Sequence, residues 1–124
     1  MKKRILVIDD DPLVLKSLFN LLTRAGYEVD FVKNGKEAEQ EVNRKTFHLI
    51  ISDIRMPQQD GISTIQNLKR HCLERNGIET PFLFITGYAS EEAPIDAIKL
   101  GAKDYLLKPF DMNELLQSIA RNIQ

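Results

Sequence analysis

Short apolar runs alternate with segments of helical periodicity five times along this chain, and this alternation limits the fold more than any other feature. The runs are Ile5–Ile8, Val29–Val32, Leu49–Ile51, Phe82–Ile85 and Tyr105–Leu107. A strand buried on both faces reads as a continuous apolar run, and strands that alternate with helices form parallel sheets. We therefore expect an α/β, doubly wound (βα)5 sandwich, whose five-stranded parallel sheet carries helices on both faces.

Capping residues mark where the helical segments begin and end. Asp11 is expected as the N-cap of the first helix, with Pro12 at its first position and Gly26 at its end. Further helices are expected over residues 36–44, 62–76 and 91–100, and after Asp111 as the last N-cap. The residues expected to face the sheet are Val14, Leu18, Leu21, Leu22 and Ala25 in the first helix and Leu115, Leu116, Ile119 and Ile123 in the last. No linker interrupts the pattern, so residues 1–124 are expected to form one domain without an output domain.

The charge balance limits the possible binding partners, and the single cysteine limits the possible cellular compartment. The chain has 17 Lys and Arg against 18 Asp and Glu, a net charge of −1, which offers no electrostatic footprint for nucleic acid or anionic membrane. No segment approaches the roughly 18 apolar residues of a membrane span. Cys72 cannot form an intramolecular disulfide and fits a reducing compartment. We expect a cytoplasmic protein.

Acidic residues follow the first and third apolar runs. Ile5–Ile8 leads into Asp9, Asp10 and Asp11, and the third run leads through Ser52 into Asp53. Ligands of open α/β sheets bind beyond the carboxyl ends of the strands. Two carboxylates about 4 Å apart repel by roughly 4 kcal/mol at an effective dielectric constant of 20. The cluster is therefore a candidate site for a hard cation such as Mg²⁺, and Asp53 is a candidate for chemistry.

The later strands also lead into functional groups. The fourth run is followed by Thr86 and the fifth by Lys108 and Pro109. A phosphoryl group on Asp53 would need this set, since a cation, a hydroxyl donor and a fixed positive charge would neutralise it. Asp11 is the least suited to touch a metal, because capping the first helix is a sufficient structural role.

Four motifs give the chain a family resemblance. They are ILVIDDDP at residues 5–12, SDIRMPQQDG at 52–61, ITGYAS at 85–90 and GAKDYLLKPF at 101–110. With these motifs in this order, the chain resembles a receiver domain of bacterial two-component response regulators over essentially all of its length. The resemblance implies a flavodoxin-like sheet of strand order 2-1-3-4-5. It also implies a regulatory phosphoacceptor, whose only activities are autophosphorylation from small donors and slow autodephosphorylation.

The resemblance assigns roles at the phosphorylation site. Asp53 would accept a phosphoryl group from the phosphohistidine of a sensor histidine kinase or phosphotransfer protein. Asp10, Asp53 and the backbone carbonyl of Arg55 would bind Mg²⁺, and Asp9 would bind it through a water molecule. Mn²⁺ or Ca²⁺ is expected to substitute for Mg²⁺.

The resemblance also assigns the switch. Thr86 would donate a hydrogen bond to the phosphoryl group, Lys108 would pair with it, and the Lys108–Pro109 peptide bond would be cis. Tyr105 would turn inward when Thr86 moves. The surface of the fourth helix, fifth strand and fifth helix would then act on an output domain or a partner protein, and a phosphorylation-linked homodimer is a further expectation.

Three other functions fit the same residues less well. A magnesium-dependent aspartyl phosphatase of haloacid-dehalogenase type usually has an acid two residues after its nucleophile, where this chain has Arg55. A nucleotide-binding module would need a glycine-rich phosphate loop, whereas the loop after the first strand is acidic. A pseudo-receiver that binds partners without phosphorylation is disfavoured by the intact set of Asp10, Asp53, Thr86 and Lys108.

Several features depart from the family pattern or carry no chemistry. The interval from Asp53 to Thr86 is 33 residues (86 − 53), a few more than usual, which predicts a longer third helix or a longer loop after it. Pro94 predicts an irregular start to the fourth helix. Arg55 and Tyr88 are large residues expected to shield the phosphoryl group.

The two histidines, His48 and His71, are expected to be surface or capping residues, and Cys72 is expected to pack.

Overall fold

The computed structural model describes residues 2–53, 55–56, 59–77, 79–86, 104–107 and 111–123, and for residues 53, 55–56, 59–64, 86, 104–105 and 107 it describes the backbone alone. The strands are β1 (Arg4–Ile8), β2 (Glu28–Val32), β3 (Leu49–Asp53), β4 (Arg55–Met56), β5 (Gln59–Asp60), β6 (Phe82–Thr86) and β7 (Asp104–Leu107). The helices are α1 (Pro12–Arg24), α2 (Gly35–Arg44), α3 (Gly61–Asn76) and α4 (Met112–Asn122). The expected helix over residues 91–100, and Pro94 within it, lie outside the described residues.

The main sheet confirms the predicted topology. Its strand order is β2-β1-β3-β6-β7, and all four neighbouring pairs within the described residues are parallel. With β4 and β5 set aside, this is the order 2-1-3-4-5 of a doubly wound sheet. The small antiparallel pair β4–β5 was not predicted, and it places Asp60 opposite Arg55. Two-residue strands carry no periodicity that a sequence pattern can reveal.

Alternate residues of the strands face two separate cores. Leu6 and Ile8 of β1 lie in the core beneath α2 and α3, while Ile5 and Val7 lie in the core beneath α1 and α4. The first core consists of Leu6, Ile8, Val32, Ala38, Val42, Phe47, Ile50, Ile65, Leu68, Cys72, Phe82 and Phe84. The second consists of Ile5, Val7, Leu15, Leu18, Leu22, Leu49, Ile51, Leu83, Ile85, Leu115 and Ile119. Helices therefore cover both faces of the sheet, as expected.

Helix α1 has the ends that the sequence predicts. Asp11 is its N-cap and Pro12 its first residue. At its C-terminus Gly26 has a φ of 98°, and the N–H of Tyr27 donates to the carbonyl oxygen of Leu22 over 3.1 Å. This is a Schellman arrangement, which needs a residue that tolerates positive φ. Ala25, expected to face the sheet, is instead exposed because it is the C-cap residue.

A side chain of α3 closes the C-terminus of α2. The guanidinium of Arg75 donates to the carbonyl oxygen of Val42 at 3.2 Å and to that of Arg44 at 3.0 Å. The last carbonyl groups of a helix have no intrahelical partner, so a cation here satisfies them and complements the helix dipole. Helix α3 has 16 residues, which accommodates much of the long interval before Thr86.

Candidate functional site

The parallel strands bring three of the predicted site residues, Asp9, Asp53 and Thr86, to one edge of the sheet. Ile8 of β1 is the register partner of Ser52 in β3, so Asp9 and Asp53 each follow one member of this pair. Asp53 is in turn the register partner of Ile85 in β6, and Thr86 follows Ile85. Adjacent strands lie about 4.8 Å apart, so these backbone positions are neighbours at the carboxyl edge.

Asp9 is the most buried of the three adjacent aspartates, Asp9, Asp10 and Asp11. Its side chain is fully buried, with 0% of the residue exposed. Its backbone N–H donates to the carbonyl oxygen of Val32 at 3.1 Å, which continues the β1–β2 ladder beyond Ile8. Its Oδ1 accepts the backbone N–H of Asp11 at 3.0 Å. A buried carboxylate needs such partners or a cation, because burial without them disfavours the charge.

Asp10 and Asp11 have different surroundings although they are adjacent. Both are exposed, but the Oδ1 of Asp11 accepts the N–H of Leu13 at 2.9 Å, and its carbonyl oxygen accepts the N–H of Leu15 at 3.0 Å. The prediction that Asp11 serves as a helix cap is thus confirmed. Of the three aspartates in this turn, Asp10 is the one that is exposed and does not cap the helix.

The other predicted site residues are described in part. The backbone places Asp53 and Thr86 as the last residues of β3 and β6, Arg55 at the start of β4, and Tyr105 in β7 opposite Phe84. Their side chains lie outside the described part of the chain. Lys108, Pro109 and Tyr88 lie outside the described residues altogether, as does the predicted cis bond. Leu107, which precedes Lys108, is the register partner of Thr86.

Cys72 belongs to the apolar core rather than to the acidic turn. It is 3% exposed in the core beneath α2 and α3. Burial raises the pKa of its thiol above the ordinary value of 9.0, and a hydrogen bond with Thr80 and the nearby Arg75 charge oppose this only in part. A protonated, enclosed thiol is a poor nucleophile, so Cys72 packs as expected.

The opposite end of the sheet carries a set of paired charges that the sequence did not reveal. Arg4 lies 2.9 Å from Glu28, and Lys45 lies 3.2 Å from Asp30. These residues line part of a cavity of about 360 Å³. In the described lining of this cavity, Arg4 pairs with Glu28 and Lys45 pairs with Asp30, so these four charges compensate one another.

His48 has a defined structural contact at this same end. Its Nδ1 accepts the backbone N–H of Arg4 at 3.0 Å, and its own backbone N–H donates to the Arg4 carbonyl oxygen at 2.8 Å. The half-buried imidazole therefore extends the β1–β3 ladder by one hydrogen bond. The sequence predicted a surface or capping role for His48, and the observed contact resembles a cap, but residue spacing alone did not identify Arg4 as its partner.

An open parallel sheet with acidic residues beyond two adjacent central strands defines a doubly wound α/β domain with a carboxylate site at its switch point. The chain belongs to the response regulator receiver domain family, whose model matches residues 5–120. It is a phosphorylation-dependent signalling receiver of the two-component type. Receiver domains generally bind Mg²⁺ at the phosphorylation site, and they are generally regulatory rather than catalytic.

Two curated relatives illustrate the likeness. The chain is 36% identical over 121 residues to the transcriptional regulatory protein CrdR of Helicobacter pylori, covering 98% of this chain and 55% of that protein. It is 40% identical over 111 residues to the transcriptional regulatory protein ZraR of Klebsiella oxytoca, covering 90% of this chain and 24% of that protein. The chain thus spans between a quarter and about half of the length of these relatives.

Solved structures show the same fold. The chemotaxis protein CheY4 of Vibrio cholerae matches with a TM-score of 0.89 at 28% identity, covering 99% of this chain and all (100%) of that one. A CheY-like receiver domain of Methanospirillum hungatei matches at 0.86 and 30% identity, covering 98% and 93%. A response regulator of Burkholderia pseudomallei, solved with a phosphorylated aspartic acid and a calcium ion, matches at 0.83 and 31%, covering 99% and 67%.

The length and hydrophobicity of the described helices indicate whether any of them could cross a membrane. Among the helices that the structure describes, none is both long enough and apolar enough to cross a bilayer.

Proposed function

We propose that Asp53 is the phosphoacceptor of this receiver and that it takes its phosphoryl group from a sensor histidine kinase or a phosphotransfer protein. An oxygen of the Asp53 carboxylate would form a bond to phosphorus while the bond between phosphorus and the histidine nitrogen breaks. The leaving imidazole keeps that electron pair. The observation that carries the proposal is the register, since Asp53 ends β3 beside Asp9 on one neighbouring strand and Thr86 on the other.

The donor set fits a hard divalent cation. Asp9 is a buried carboxylate at the strand end, and Asp10 is an exposed one beside it. We propose that Asp10, Asp53 and the carbonyl oxygen of Arg55 would hold Mg²⁺ directly and that Asp9 would hold it through water. Oxygen ligands with one or two carboxylates are the environment that Mg²⁺ prefers, and Mn²⁺ or Ca²⁺ is proposed to replace it. When bound, the cation supplies positive charge that offsets the phosphoryl oxygens.

The readout is proposed to start at Thr86. Phosphorylation places about two negative charges where one carboxylate stood, and the Thr86 hydroxyl would donate a hydrogen bond to them while Lys108, preceding Pro109 in a cis bond, would pair with them. Tyr105 would follow Thr86 inward. Such a contact shifts a pre-existing equilibrium only by its differential affinity for the modified state. The surface of the predicted fourth helix, the last sheet strand and the C-terminal helix would then change its partner affinity.

The wider setting is also proposed. Residues 1–124 would form one receiver domain that controls an output domain or a separate partner, and its phosphorylated form would pair with a second copy. The curated relatives are longer transcriptional regulators, which supports an output activity beyond these residues. The net charge of −1 supports a domain that binds neither nucleic acid nor membrane itself, and the single buried cysteine supports a cytoplasmic location.

Labelling with acetyl phosphate tests the phosphoacceptor. With Mg²⁺ present, we expect the wild-type chain to gain one acyl phosphate that intact-mass spectrometry detects, and Asp53→Asn to gain none. Asp11→Asn is the matched control, because it removes a carboxylate from the same edge but keeps a capping oxygen. Equal labelling of wild type and Asp53→Asn would overturn the assignment. Rapid multiple turnover of phosphate esters would instead indicate a phosphatase of haloacid-dehalogenase type.

A further inference from the structure

A chain of hydrogen bonds joins the buried Asp9 to the first turn of α1. The Asp11 N–H donates to Asp9 Oδ1 at 3.0 Å, and the Leu13 N–H donates to Asp11 Oδ1 at 2.9 Å. Asp9 itself is tied to β2 through its N–H and the Val32 carbonyl oxygen at 3.1 Å. The turn therefore has one fixed end in the sheet and one fixed end in the helix.

Asp10 lies between these two fixed points. It is exposed, so packing against a core does not hold it in place. Its backbone position depends on the hydrogen bonds of Asp9 before it and of Asp11 after it. Fixing a residue's backbone costs conformational entropy, and a turn that is ordered beforehand does not incur this cost when a ligand binds.

Pro12 gives the Asp11 side chain its particular importance. Proline at the first helical position has no N–H, so the N–H of Leu13 is the first one in α1 that needs a partner. The Asp11 carboxylate supplies that partner, and its charge lies at the positive end of the helix dipole. The Asp11 carboxylate thus accepts a hydrogen bond from the helix and interacts with the helix dipole, and it is not needed as a metal ligand.

We propose that Asp11 is a positioning residue, which orders the turn carrying Asp9 and Asp10 for cation binding without contacting the cation. This inference rests on the proposed function, since it assumes that Asp10 is a ligand. Loss of the Asp11 side chain frees the Leu13 N–H, loosens the turn and lowers the affinity for Mg²⁺. An oxygen acceptor at the same position preserves the affinity, whether or not it is charged.

Titration of the ¹⁵N-labelled 124-residue chain with Mg²⁺, followed by NMR at the Asp10 and Asp11 amides, tests the proposal. We expect Asp11→Ala to weaken Mg²⁺ binding about tenfold or more, the size of effect seen when residues that orient metal ligands are removed. Asp11→Asn and Asp11→Ser keep the cap, so their dissociation constants stay within about threefold of the wild-type value. Hydrogen exchange of the Leu13 amide, measured without Mg²⁺, accelerates in Asp11→Ala alone. Circular dichroism checks that each variant folds, and Asp11→Gly replaces Asp11→Ala if the latter does not.

Asn34→Ala is the matched control. Asn34 caps α2 through the Glu37 N–H at 2.9 Å, so its loss removes a helix cap that makes none of the hydrogen bonds of the acidic turn. We expect Asn34→Ala to leave Mg²⁺ affinity unchanged. Equal weakening in Asn34→Ala and Asp11→Ala, or in Asp11→Asn and Asp11→Ala, would overturn the positioning role. Tight wild-type binding that Asp11→Ala retains would overturn this inference alone, whereas a wild-type chain that does not bind Mg²⁺ would overturn the proposed function with it.

Discussion

Asp53 and Ile85 are register partners in the parallel β3–β6 pair. The proposed phosphoacceptor therefore lies beside the residue that precedes Thr86 on the adjacent strand. Neighbouring strands lie about 4.8 Å apart, so this backbone register supports the proposed contact between a phosphoryl group on Asp53 and the hydroxyl of Thr86.

Removal of the Thr86 hydroxyl should uncouple phosphorylation from the switch. We expect Thr86→Ala to accept phosphate from acetyl phosphate but to show little of the phosphorylation-induced shift of the Tyr105 amide resonance. A hydrogen bond to a charged group is worth about 1.5–3 kcal/mol, which corresponds to roughly 10–100-fold in the conformational equilibrium. Thr86→Ser keeps the hydroxyl and should restore the shift. A full shift in phosphorylated Thr86→Ala would contradict the assigned role.

We predict that the acyl phosphate decays slowly, since Arg55 and Tyr88 are large residues that are expected to restrict the approach of water. The double variant Arg55→Ala with Tyr88→Ala should therefore lose phosphate several-fold faster than wild type. Radiolabelled protein, sampled over time after removal of acetyl phosphate, gives both rate constants. Wild-type decay as fast as that of the double variant would be evidence against shielding.

Arg75 should stabilise the fold through the C-terminus of α2. Its guanidinium donates to two helix-terminal carbonyl groups, those of Val42 and Arg44. We expect Arg75→Ala to lower the free energy of unfolding by about 1–2 kcal/mol, as loss of hydrogen bonds from a cation does. Urea denaturation measures this change. Arg70→Ala, an exposed arginine on the same helix, should change stability by less than about 0.5 kcal/mol.

Cys72 should make stability fall in alkaline solution. Burial raises its pKa in the folded state above the ordinary value of 9.0, so the folded chain keeps a thiol proton that the unfolded chain loses. The stability it contributes is complete below the unfolded-state pKa and is lost as the pH rises toward the raised, folded-state pKa. Urea denaturation at pH 8 and pH 10 should show a larger loss for wild type than for Cys72→Ala, in which the other titrating groups remain. An equal loss in both proteins would contradict this assignment.

Local signals in the sequence were sufficient for much of the fold. Asp11, Pro12 and Gly26 mark the ends of α1 because capping and positive φ depend on neighbouring residues only. The apolar runs likewise marked the sheet strands, since burial on both faces leaves a continuous pattern. The placement of Asp53 and Thr86 at one edge followed from the parallel topology that this alternation implies.

Contacts between distant segments could not be predicted in this way. The sequence gives no sign that His48 accepts the N–H of Arg4 or that Arg75 closes α2, because residues 44 and 31–33 positions apart meet only after the sheet and its helices pack. Likewise, Ala25 has the spacing of a core residue but lies exposed at the helix end.

By itself, then, the sequence determined the order of the main-sheet strands and of the described helices, the caps of α1 and the identity of the residues that follow each of these strands, because these depend on short-range periodicity and on backbone preferences. The tertiary structure decided which of the two aspartates before the cap is buried and which is exposed. That division arises because the Asp9 N–H continues the β1–β2 ladder to the Val32 carbonyl oxygen, an environment that exists only once the strands have paired.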